Sequence, residues 1–499
     1  MRSFREPRRF WGQSRQFGCV PGTSGLPLRP DIVRPSWLVR FVPLVVIGHQ
    51  SDVMEHRGLL FSRKPTGRWT SSVDCPATGA QFPPHSRQSR QPLLFLERAR
   101  RDLWCADVLL IQSSNKRSLR RPMRIDPIEL SSELIAFNTI NPPGNELSCI
   151  RHLETILSGV GLETSIQNFA PERANLIARI GGVGSKPPLC FTGHVDTVPL
   201  GNAPWSVDAF AGEIIDGNMY GRGSTDMKCG IAAFVAAIGN MTEQLEGTSG
   251  AVLVITAGEE IGCEGAFHLA RAGILGRAGA IVVAEPTSNA ALVGHKGALW
   301  LRLTLKGVTA HGSMPHLGVN AAYKAARVLT ALESFQFNVA PHPYLGSPTL
   351  NVGTVRAGLN VNSVPDLAEI GLDIRSIPGL DHSRIQEHLK AELGDDISLE
   401  RIVDVGAVWT DPSSPWIKDV YGIVRDVTGE DAGSEPRTAP YFTDASALTP
   451  AFGNPPTIIL GPGEAAKAHQ TDEYCSVQRI REASDIYSRL AARWSGRPE

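Results

Sequence analysis

Two short stretches of the sequence combine histidine and aspartate in a pattern that suits metal binding. The first, Gly193-His-Val-Asp-Thr-Val-Pro199, follows an apolar run that predicts a buried strand over 188–192. Side chains alternate along an extended segment, so His194 and Asp196 point to the same side. A carboxylate in that position can orient a metal-binding imidazole through its second nitrogen. We therefore predict that His194 is a metal ligand oriented by Asp196; the alternative is a hydrogen-bonded core histidine.

The second stretch, Gly221-Arg-Gly-Ser-Thr-Asp-Met-Lys228, precedes the apolar run 230–238, whose residues favour a helix. Asp226 is therefore expected close to the start of that helix. At such a position an aspartate either caps the helix or binds a metal ion. The residue alone does not separate the two roles, and only the presence of further ligands favours metal binding.

Four more candidate ligands or bases follow predicted buried strands. Strands are expected at 251–256, 280–284 and 456–460 because each is a short, continuous apolar run. The side chains that follow these strands are Glu259, Glu260, Glu285 and His469. Loops after neighbouring parallel strands meet at one edge of a sheet, where ligands bind in open α/β folds. Taken singly, these residues could also be a solvated acidic pair, a turn cap before a proline and a loop histidine.

Two histidines and three carboxylates suit a pair of zinc ions about 3.5–4 Å apart that share a bridging carboxylate. In the predicted arrangement Asp226 bridges the ions, His194 and Glu285 complete one site, and Glu260 and His469 complete the other. Glu259 then stays unligated beside the metals. A carboxylate there can take a proton from the attacking water and pass it to the leaving nitrogen.

The elements that must position these residues alternate between helix and strand. Asp126 is expected to cap the first helix, because a proline occupies the first helical position after it. The strands expected at 174–180 and 188–192 are predicted to pair with each other. This alternation predicts an α/β layered domain. The predicted helices lie at 126–137, 146–159, 264–272 and 477–494.

The pattern of apolar and polar residues in the sequence changes near Gly297. Segments 299–306, 351–355 and 368–375 alternate apolar and polar residues, as half-exposed strands do, and 318–332 is predicted to be helical. We interpret this region as a two-layer α+β insert that splits the α/β domain. The predicted domains are an extension over 1–122, a first catalytic part over 123–296, the insert over 297–412 and a second catalytic part over 413–499.

The charge balance divides the chain near Met123. Residues 1–122 contain 21 Lys and Arg against 8 Asp and Glu, and the remainder contains 28 against 42, although the formal net charge of the chain is −1. The first segment lacks a regular period, so we predict that it does not pack into a domain. Three explanations stay open: an organelle transit segment, a basic arm, or translation of DNA upstream of the true start. The residues from Met123 onward are typical of the start of a domain, which favours the third explanation, upstream translation.

Composition also limits the compartment and the partners. The eight cysteines form no CxxC pair and have no regular spacing, which is typical of a reducing compartment and predicts a cytoplasmic protein. No apolar run of the sequence has the length of a membrane span. No recognisable nucleic-acid module follows the basic segment. We therefore expect neither a membrane nor a nucleic acid as a partner.

Five segments of the sequence together resemble a known family. They are Gly193-His-Val-Asp-Thr-Val-Pro199, Gly221-Arg-Gly-Ser-Thr-Asp-Met-Lys228, Gly258-Glu-Glu-Ile-Gly262, Ala284-Glu-Pro286 and Ala468-His-Gln-Thr-Asp-Glu473. In this order they resemble the di-zinc amidohydrolases that include acetylornithine deacetylase, succinyl-diaminopimelate desuccinylase, aminoacylase and glutamate carboxypeptidase. The resemblance runs from about residue 126 to 495. It implies the ligand roles given above, Glu259 as general base, and two Zn²⁺ per subunit that Co²⁺ can replace.

The resemblance further implies an enzyme that hydrolyses the amide bond of N-acyl amino acids, as acetylornithine deacetylase and succinyl-diaminopimelate desuccinylase do. The alternatives are a metallo-carboxypeptidase or dipeptidase of the same family and a binding relative without catalysis. The implied fold is a phosphorylase/hydrolase-like α/β catalytic domain split by an inserted α+β lid and dimerisation domain. A homodimer is therefore expected.

Three residues of the insert resemble family positions that serve the site. His311 resembles the histidine that reaches the partner subunit's site and stabilises the oxyanion; the alternative is an ordinary strand-to-helix turn. Asn362 and Arg375 resemble residues that bind the substrate carboxylate and the oxyanion. A planar guanidinium suits a carboxylate, but Arg375 could equally pair with Asp373 or Asp366.

Two cysteines depart from the usual family pattern. Cys229 and Cys263 stand where the family commonly has a small residue. A thiol beside zinc is a potential soft ligand. At Cys229 we expect packing instead, because the helix has already begun there. Neither cysteine replaces a predicted ligand.

Overall fold

The computed structural model describes residues 124–429 and 435–497. The predictions for 1–122 lie outside these described residues. The helices are α1 Pro127–Ile135, α2 Leu147–Gly159, α3 Cys229–Gly239, α4 Thr242–Leu245, α5 Glu264–Ala272, α6 Ala321–Glu333, α7 His382–Leu393, α8 Pro415–Thr428, α9 Ala445–Ala451 and α10 Val477–Trp494. The strands are β1 Glu163–Ala170, β2 Arg173–Ile180, β3 Leu189–His194, β4 Ile214–Ile215, β5 Asn218–Tyr220, β6 Ala251–Thr256, β7 Ala280–Val283, β8 Leu292–His295, β9 Gly297–Lys306, β10 Thr349–Ala357, β11 Leu367–Ser376, β12 Ile397–Val405, β13 Val408–Trp409, β14 Arg437–Ala439, β15 Thr457–Ile459 and β16 Tyr474–Ser476.

The first helix begins where the sequence predicts. Asp126 is its N-cap, and one carboxylate oxygen accepts hydrogen bonds from the backbone N–H groups of Ile128 at 2.7 Å and Glu129 at 3.2 Å. Pro127 occupies the first helical position, where a missing N–H costs nothing. The predicted helices over 264–272 and 477–494 have the bounds expected from the sequence.

The largest sheet has nine strands in the order β1-β2-β6-β3-β7-β15-β8-β13, and β14 pairs with β8. Its four central strands, β6, β3, β7 and β15, are parallel to one another. The carboxyl ends of parallel strands lie along the same edge of a sheet, so the four loops that leave these strands begin side by side.

Helices cover both faces of this sheet. Leu253 and Ile255 of β6 belong to one core with residues of α2, α3, α8 and α10, whereas Val252 and Val254 belong to a second core with residues of α5 and α9. All of β6 is buried. Burial on both faces explains why the strand is a continuous apolar run rather than an alternating one. The predicted α/β fold is confirmed.

A second sheet of four antiparallel strands has the order β10-β11-β9-β12. Residues of α6 and α7 share its core with Leu303 and its neighbours in β9. Along β9 buried and more exposed residues alternate, as predicted for half-exposed strands. The chain rejoins the large sheet at β13, which pairs with β8. The sequence did not show α7 and β12, and the boundaries of the predicted domains stay a prediction.

One predicted pairing is wrong. The strands β2 and β3 do not pair with each other, because β6 lies between them, antiparallel to β2 and parallel to β3. The other neighbour of β2 is β1, a partly exposed strand that the sequence did not reveal because its residues are mostly polar. The strand β6 occupies the position between β2 and β3 because its side chains are apolar on both faces and can be buried there.

Among the described residues, no helix combines the length and the apolar character that crossing a membrane requires.

Candidate metal centre

The site lies where the four parallel strands of the large sheet end. His194 is the last residue of β3, and the Glu259-Glu260 pair follows the end of β6. Glu285 follows β7 after one further residue, and His469 lies in the loop after β15. Because β6, β3, β7 and β15 are adjacent and parallel, residues that are distant in sequence reach one place.

Asp226 reaches this edge from a different element. It lies in the turn Ser224–Lys228 directly before α3, with non-helical backbone angles of φ −126° and ψ 89°. The chain leaves helical geometry here and the Asp226 carboxylate turns toward the strand ends. The prediction that Asp226 lies close to a helix start is confirmed.

The first group of potential ligands consists of His194, Asp226 and Glu285, whose ligand atoms all lie within 4.8 Å of one another. Nε2 of His194 lies 3.2 Å from Oδ1 of Asp226 and 3.8 Å from Oε1 of Glu285. His194 and Glu285 are almost fully buried, with 1% and 4% of their surface exposed.

The second group consists of Asp226, Glu260 and His469 and meets the same distance limit. Nε2 of His469 lies 3.3 Å from Oδ2 of Asp226 and 3.1 Å from Oε2 of Glu260. Asp226 therefore presents one carboxylate oxygen to each histidine. The structure brings together the five side chains predicted as ligands, in the two sets predicted from the sequence.

These donors fit two divalent ions. Imidazole nitrogen and carboxylate oxygen are the ligands that zinc accepts, and the shared carboxylate is the feature that a metal pair needs. Oε1 of Glu260 is buried and has no hydrogen-bond partner within the described residues. A buried polar atom without a partner is costly unless a ligand satisfies it.

The electrostatics of the cluster also point to bound cations. Burial raises the pKa of Glu259 and Glu285 well above the usual value, and neighbouring carboxylates raise both further. Burial and the Asp226 charge raise the pKa of Glu260. Burial opposes the charge of Asp226 as well, but hydrogen bonds from the two histidines hold its pKa below the usual range. So many buried acids repel one another unless divalent ions compensate them.

Glu259 lies beside both groups and belongs to neither. It is 6% exposed, and its Oε2 lies 3.9 Å from Nε2 of His194. The Cys263 thiol lies 3.9 Å from its Oε1. Glu259 is thus a buried carboxylate next to the potential ligands, with one oxygen directed toward them.

Asp196 contacts His194 differently from the expectation. Nδ1 of His194 lies 3.0 Å from the backbone carbonyl oxygen of Asp196 and 3.5 Å from its carboxylate. The carboxylate instead accepts the backbone N–H groups of Glu259 and Glu260, at 3.1 and 3.2 Å, and the side-chain amide of Asn141 at 3.0 Å. Asp196 therefore orients the imidazole mainly through its backbone and fixes the Glu259-Glu260 loop through its side chain.

A cavity of about 460 Å³ opens over the cluster. One side is lined by the acids, and the other by Trp300 and Arg375 from the four-stranded sheet and by Tyr441 and Phe442. Both guanidinium edge nitrogens of Arg375 contact Asp373, with Nε 2.9 Å from Oδ1 and Nη2 3.1 Å from Oδ2. Arg375 thus both lines the cavity and makes the ion pair considered as its alternative.

His311 and Asn362 lie elsewhere in the insert. They are exposed, and neither is among the residues that line the cavity. The backbone oxygen of Asn362 accepts the N–H of Gly312 at 2.8 Å, and Nδ1 of His311 lies 2.7 Å from the hydroxyl of Ser313. Within one chain these two residues are therefore not brought to the acidic cluster.

Cys229 and Cys263 are both buried, and neither belongs to a potential metal group of the described residues. Cys229 packs in a small core with Ile135 and Cys475. The expectation that this cysteine packs is consistent with its position.

Sequence reasoning missed the residues that fix the Asp226 turn. Glu473 and Arg222 form a buried ion pair, with 2.5 Å between Oε2 and Nη1, although 251 residues separate them. Both lie within segments that carry the family resemblance. Beyond their place in these segments the sequence carried no signal for the pair, because charged residues in loops are usually solvated.

Comparison with known proteins agrees with this geometry. A family model described as Peptidase family M20/M25/M40 matches residues 190–493. The chain is 29% identical over 395 residues to a probable succinyl-diaminopimelate desuccinylase of Staphylococcus epidermidis, covering 72% of this chain and 96% of that protein. It is 30% identical over 395 residues to a succinyl-diaminopimelate desuccinylase of Rhodospirillum centenum, covering 74% and 98%.

The fold is similar to solved structures with lower sequence identity. An M20 family metallo-carboxypeptidase from Sulfolobus solfataricus matches with a TM-score of 0.61 and 18% identity, covering 74% of this chain and 99% of that one. A dinuclear metal-binding M20 peptidase of Bacillus subtilis matches with a TM-score of 0.55 and 15% identity, covering 74% and 98%. The predicted family resemblance is confirmed. The chain belongs to peptidase family M20/M25/M40 and is a metal-dependent amide hydrolase of that family.

Proposed function

We propose that the chain is a di-zinc hydrolase that releases the acyl group from an N-acyl amino acid, as the names of its relatives suggest. The observation that carries this proposal is the position of Asp226, whose two oxygens face the imidazoles of His194 and His469. A carboxylate between two nitrogen ligands, with a further acid on each side, suits a bridged metal pair.

The ligand roles follow from the two groups. His194 and Glu285 would hold one ion, Glu260 and His469 the other, and Asp226 both. When bound, the two divalent ions supply Lewis-acid polarisation of the scissile carbonyl and lower the pKa of water at the site. Nδ1 of His194 faces a carbonyl oxygen, so it carries the proton and leaves Nε2 free as a ligand.

Glu259 acts as the general base and then as the general acid. Its carboxylate takes a proton from the attacking water and delivers it to the nitrogen of the breaking amide bond. In the metal-free site, burial raises the pKa of Glu259 above the usual value of a glutamate, toward the range in which a carboxylate both accepts and donates a proton. The backbone N–H of Glu259 is anchored on Asp196 at 3.1 Å, so the position of the base is fixed.

Arg375 binds the substrate carboxylate from the far side of the cavity. Asp373 engages its Nε and Nη2, and this pairing holds the guanidinium plane against the Phe442 ring, with 5.8 Å between Cζ and the ring centroid. Nη1 is not engaged by Asp373 and can donate to a ligand carboxylate. A carboxypeptidase or dipeptidase of the same family is the second candidate, because the same guanidinium suits the terminal carboxylate of a peptide.

The active unit is a homodimer in which His311 serves the partner subunit's site. His311 pairs through its backbone with Ser363, so the loops 308–319 and 357–363 lie together. Large apolar side chains on these loops are exposed, including Leu317 at 63%, Leu359 at 100% and Val361 at 103%. Exposed apolar clusters of this kind mark association surfaces. Asn362 on the same surface would reach the partner's substrate together with His311.

The experiment is a hydrolysis assay of the full chain loaded with zinc or cobalt. We expect about two metal ions per chain and turnover of at least one member of a panel of N-acetyl and N-succinyl amino acids. Turnover of dipeptides alone would favour the second candidate, and no turnover of any amide with two metals bound would contradict the proposal.

The cytoplasmic location stays a prediction, which fractionation of cells producing the chain would test.

A further inference from the structure

The cavity over the metal cluster has one apolar wall that the proposed chemistry does not use. Trp300 and Phe442 meet edge to face there, with 6.1 Å between ring centroids and 72° between the ring planes. Tyr441 stands beside them, and its hydroxyl donates to the carbonyl oxygen of Pro286 at 3.0 Å. The phenol is thus already satisfied, and these residues offer ring surface to a ligand.

Asp373 fixes this wall. Its Oδ1 accepts a hydrogen bond from the indole N–H of Trp300 at 3.0 Å and lies 2.9 Å from Nε of Arg375. One carboxylate thus sets the orientation of the indole and of the guanidinium together. An indole held in this way loses little freedom when a ligand binds, which favours affinity.

The charges of the wall limit the number of acidic groups on a substrate. Among the described residues that line the cavity, Arg375 is the only lysine or arginine, and Asp373 already balances part of its charge. The four acids of the opposite side would be balanced by two divalent ions. Among the groups that this chain itself contributes, one substrate carboxylate therefore finds a cationic partner, whereas a further carboxylate directed at this wall would meet rings or acids at a desolvation cost.

We propose that Trp300 and Phe442 form a subsite for an aromatic or branched aliphatic side chain of a substrate that carries a single free carboxylate. The inference rests on the proposed function and narrows its substrate class. It separates this chain from enzymes whose substrate carries several carboxylates, such as N-succinyl-diaminopimelate. The cavity volume of about 460 Å³ lies within the range of small-molecule sites.

The test compares N-acetyl-L-phenylalanine, N-acetyl-L-leucine, N-acetyl-L-alanine and N-succinyl-L,L-diaminopimelate as substrates of the zinc-loaded full chain. We expect kcat/KM for the phenylalanine and leucine substrates to exceed that for alanine by about tenfold or more, the usual effect of filling an apolar pocket. A higher kcat/KM for N-succinyl-diaminopimelate, or equal values for phenylalanine and alanine, would overturn the proposal.

Substitutions test whether Trp300 and Phe442 cause the preference for the phenylalanine substrate over the alanine substrate. Trp300→Leu and Phe442→Leu should each lower kcat/KM for the phenylalanine substrate about tenfold more than for the alanine substrate, and Trp300→Phe should retain most of the preference. Trp416→Leu, a partly buried tryptophan of α8 outside the cavity, should leave the ratio unchanged. Equal losses on both substrates in the Trp300 and Phe442 variants, with unchanged near-ultraviolet circular dichroism, would contradict a subsite.

Failure of hydrolysis and failure of the subsite are distinguishable. If no amide is hydrolysed, the proposed function fails. The subsite can still be tested by calorimetry, which measures the affinity of the metal-loaded chain for L-phenylalanine and for L-alanine. Tighter binding of L-phenylalanine that Trp300→Leu abolishes would support the subsite. Equal affinities for the two amino acids would overturn it.

Discussion

The carboxylate of Glu473 accepts a hydrogen bond from the backbone N–H of Asp226, with 3.0 Å between nitrogen and Oε1. The same oxygen accepts the N–H groups of Gly223 and Thr225 at 3.1 and 2.9 Å. Oε2 is paired with the guanidinium of Arg222, and both side chains are 1% exposed. Glu473, from the loop that carries His469, therefore fixes the turn that presents the Asp226 carboxylate, and its ion pair with Arg222 ties that loop to that turn.

Substitution of Glu473 should weaken metal binding without removing any ligand. In Glu473→Ala the backbone donors and Arg222 lose their acceptor, so we expect metal affinity to fall about 10–100-fold, as for other residues that support ligands. Removing one partner of a buried pair also destabilises by about 3–5 kcal/mol. Chelator competition and thermal unfolding measure the two effects.

Glu473→Gln separates positioning from charge. The amide oxygen can still accept the backbone N–H groups, so metal-saturated kcat should recover toward the wild-type value while metal affinity stays reduced. Asp485→Asn, which removes an exposed ion pair with Arg489, is the control and should change neither quantity. Unchanged metal affinity in both Glu473 variants would show that the ion pair does not position Asp226.

Substitutions of Glu259 and of its neighbour Glu260 should affect different quantities, kcat and metal content respectively. Glu259→Gln should lower kcat by about 10²–10⁴-fold with both metals retained, because Glu259 lies outside both potential ligand groups and its proposed role is proton transfer alone. Glu260→Gln should instead lower the metal content, since Glu260 lies 3.1 Å from His469 as a potential ligand. Metal analysis beside steady-state kinetics distinguishes them, and loss of metal in Glu259→Gln would exclude a purely proton-transferring role.

Loading the metal-free protein should release protons. Contacts with Asp226 and Glu260 raise the pKa of His469 from 6.5 to about 10, so this imidazole is protonated at pH 8 without metal and must lose its proton to become a ligand. Metal affinity should therefore increase with pH up to about 10. Calorimetric titration at pH 8 in two buffers of different ionisation enthalpy measures the released protons, and heats independent of the buffer would argue against this linkage.

The same pKa gives the stability of the metal-free protein a definite pH dependence. Because the folded pKa of His469 lies above the unfolded value, its contacts stabilise fully below pH 6.5 and lose their contribution as the pH rises toward 10. The metal-loaded protein gains stability from its ligands instead. We expect a chelator to lower Tm more at pH 8.5 than at pH 6.5, as measured by scanning calorimetry; an equal shift at both values would contradict this explanation.

The sequence predicted that the potential ligands come together, because each follows a short apolar strand or precedes an apolar helix, and parallel strands bring such positions to one edge. It did not predict that β6 lies between β2 and β3, since strand order depends on long-range packing rather than on local pattern. The Arg222–Glu473 pair was missed for the same reason. Charged residues in loops are usually solvated, and only the folded structure shows that these two are buried.

Arg375 illustrates a second limit of the sequence. Substrate binding and pairing with Asp373 were alternatives, yet the structure shows the ion pair on a side chain that also lines the cavity. Asp373 engages only part of the guanidinium, so the two roles are compatible. A sequence pattern indicates which residues an arginine can pair with. It does not show which of the guanidinium N–H groups contacts each partner.

The location of His311 predicts complementation between two inactive variants. Within one chain His311 is exposed and outside the cavity, so in the proposed homodimer it acts at the partner subunit's site. Mixed dimers of His311→Ala and Glu259→Gln contain one site with both residues intact. After unfolding and refolding of an equimolar mixture, about a quarter of the wild-type activity should return, because half of the dimers are mixed and each has one competent site of two. Gel filtration of the mixture checks that dimers form. Activity no higher than the sum of the separate variants would mean that His311 acts within its own chain or not at all.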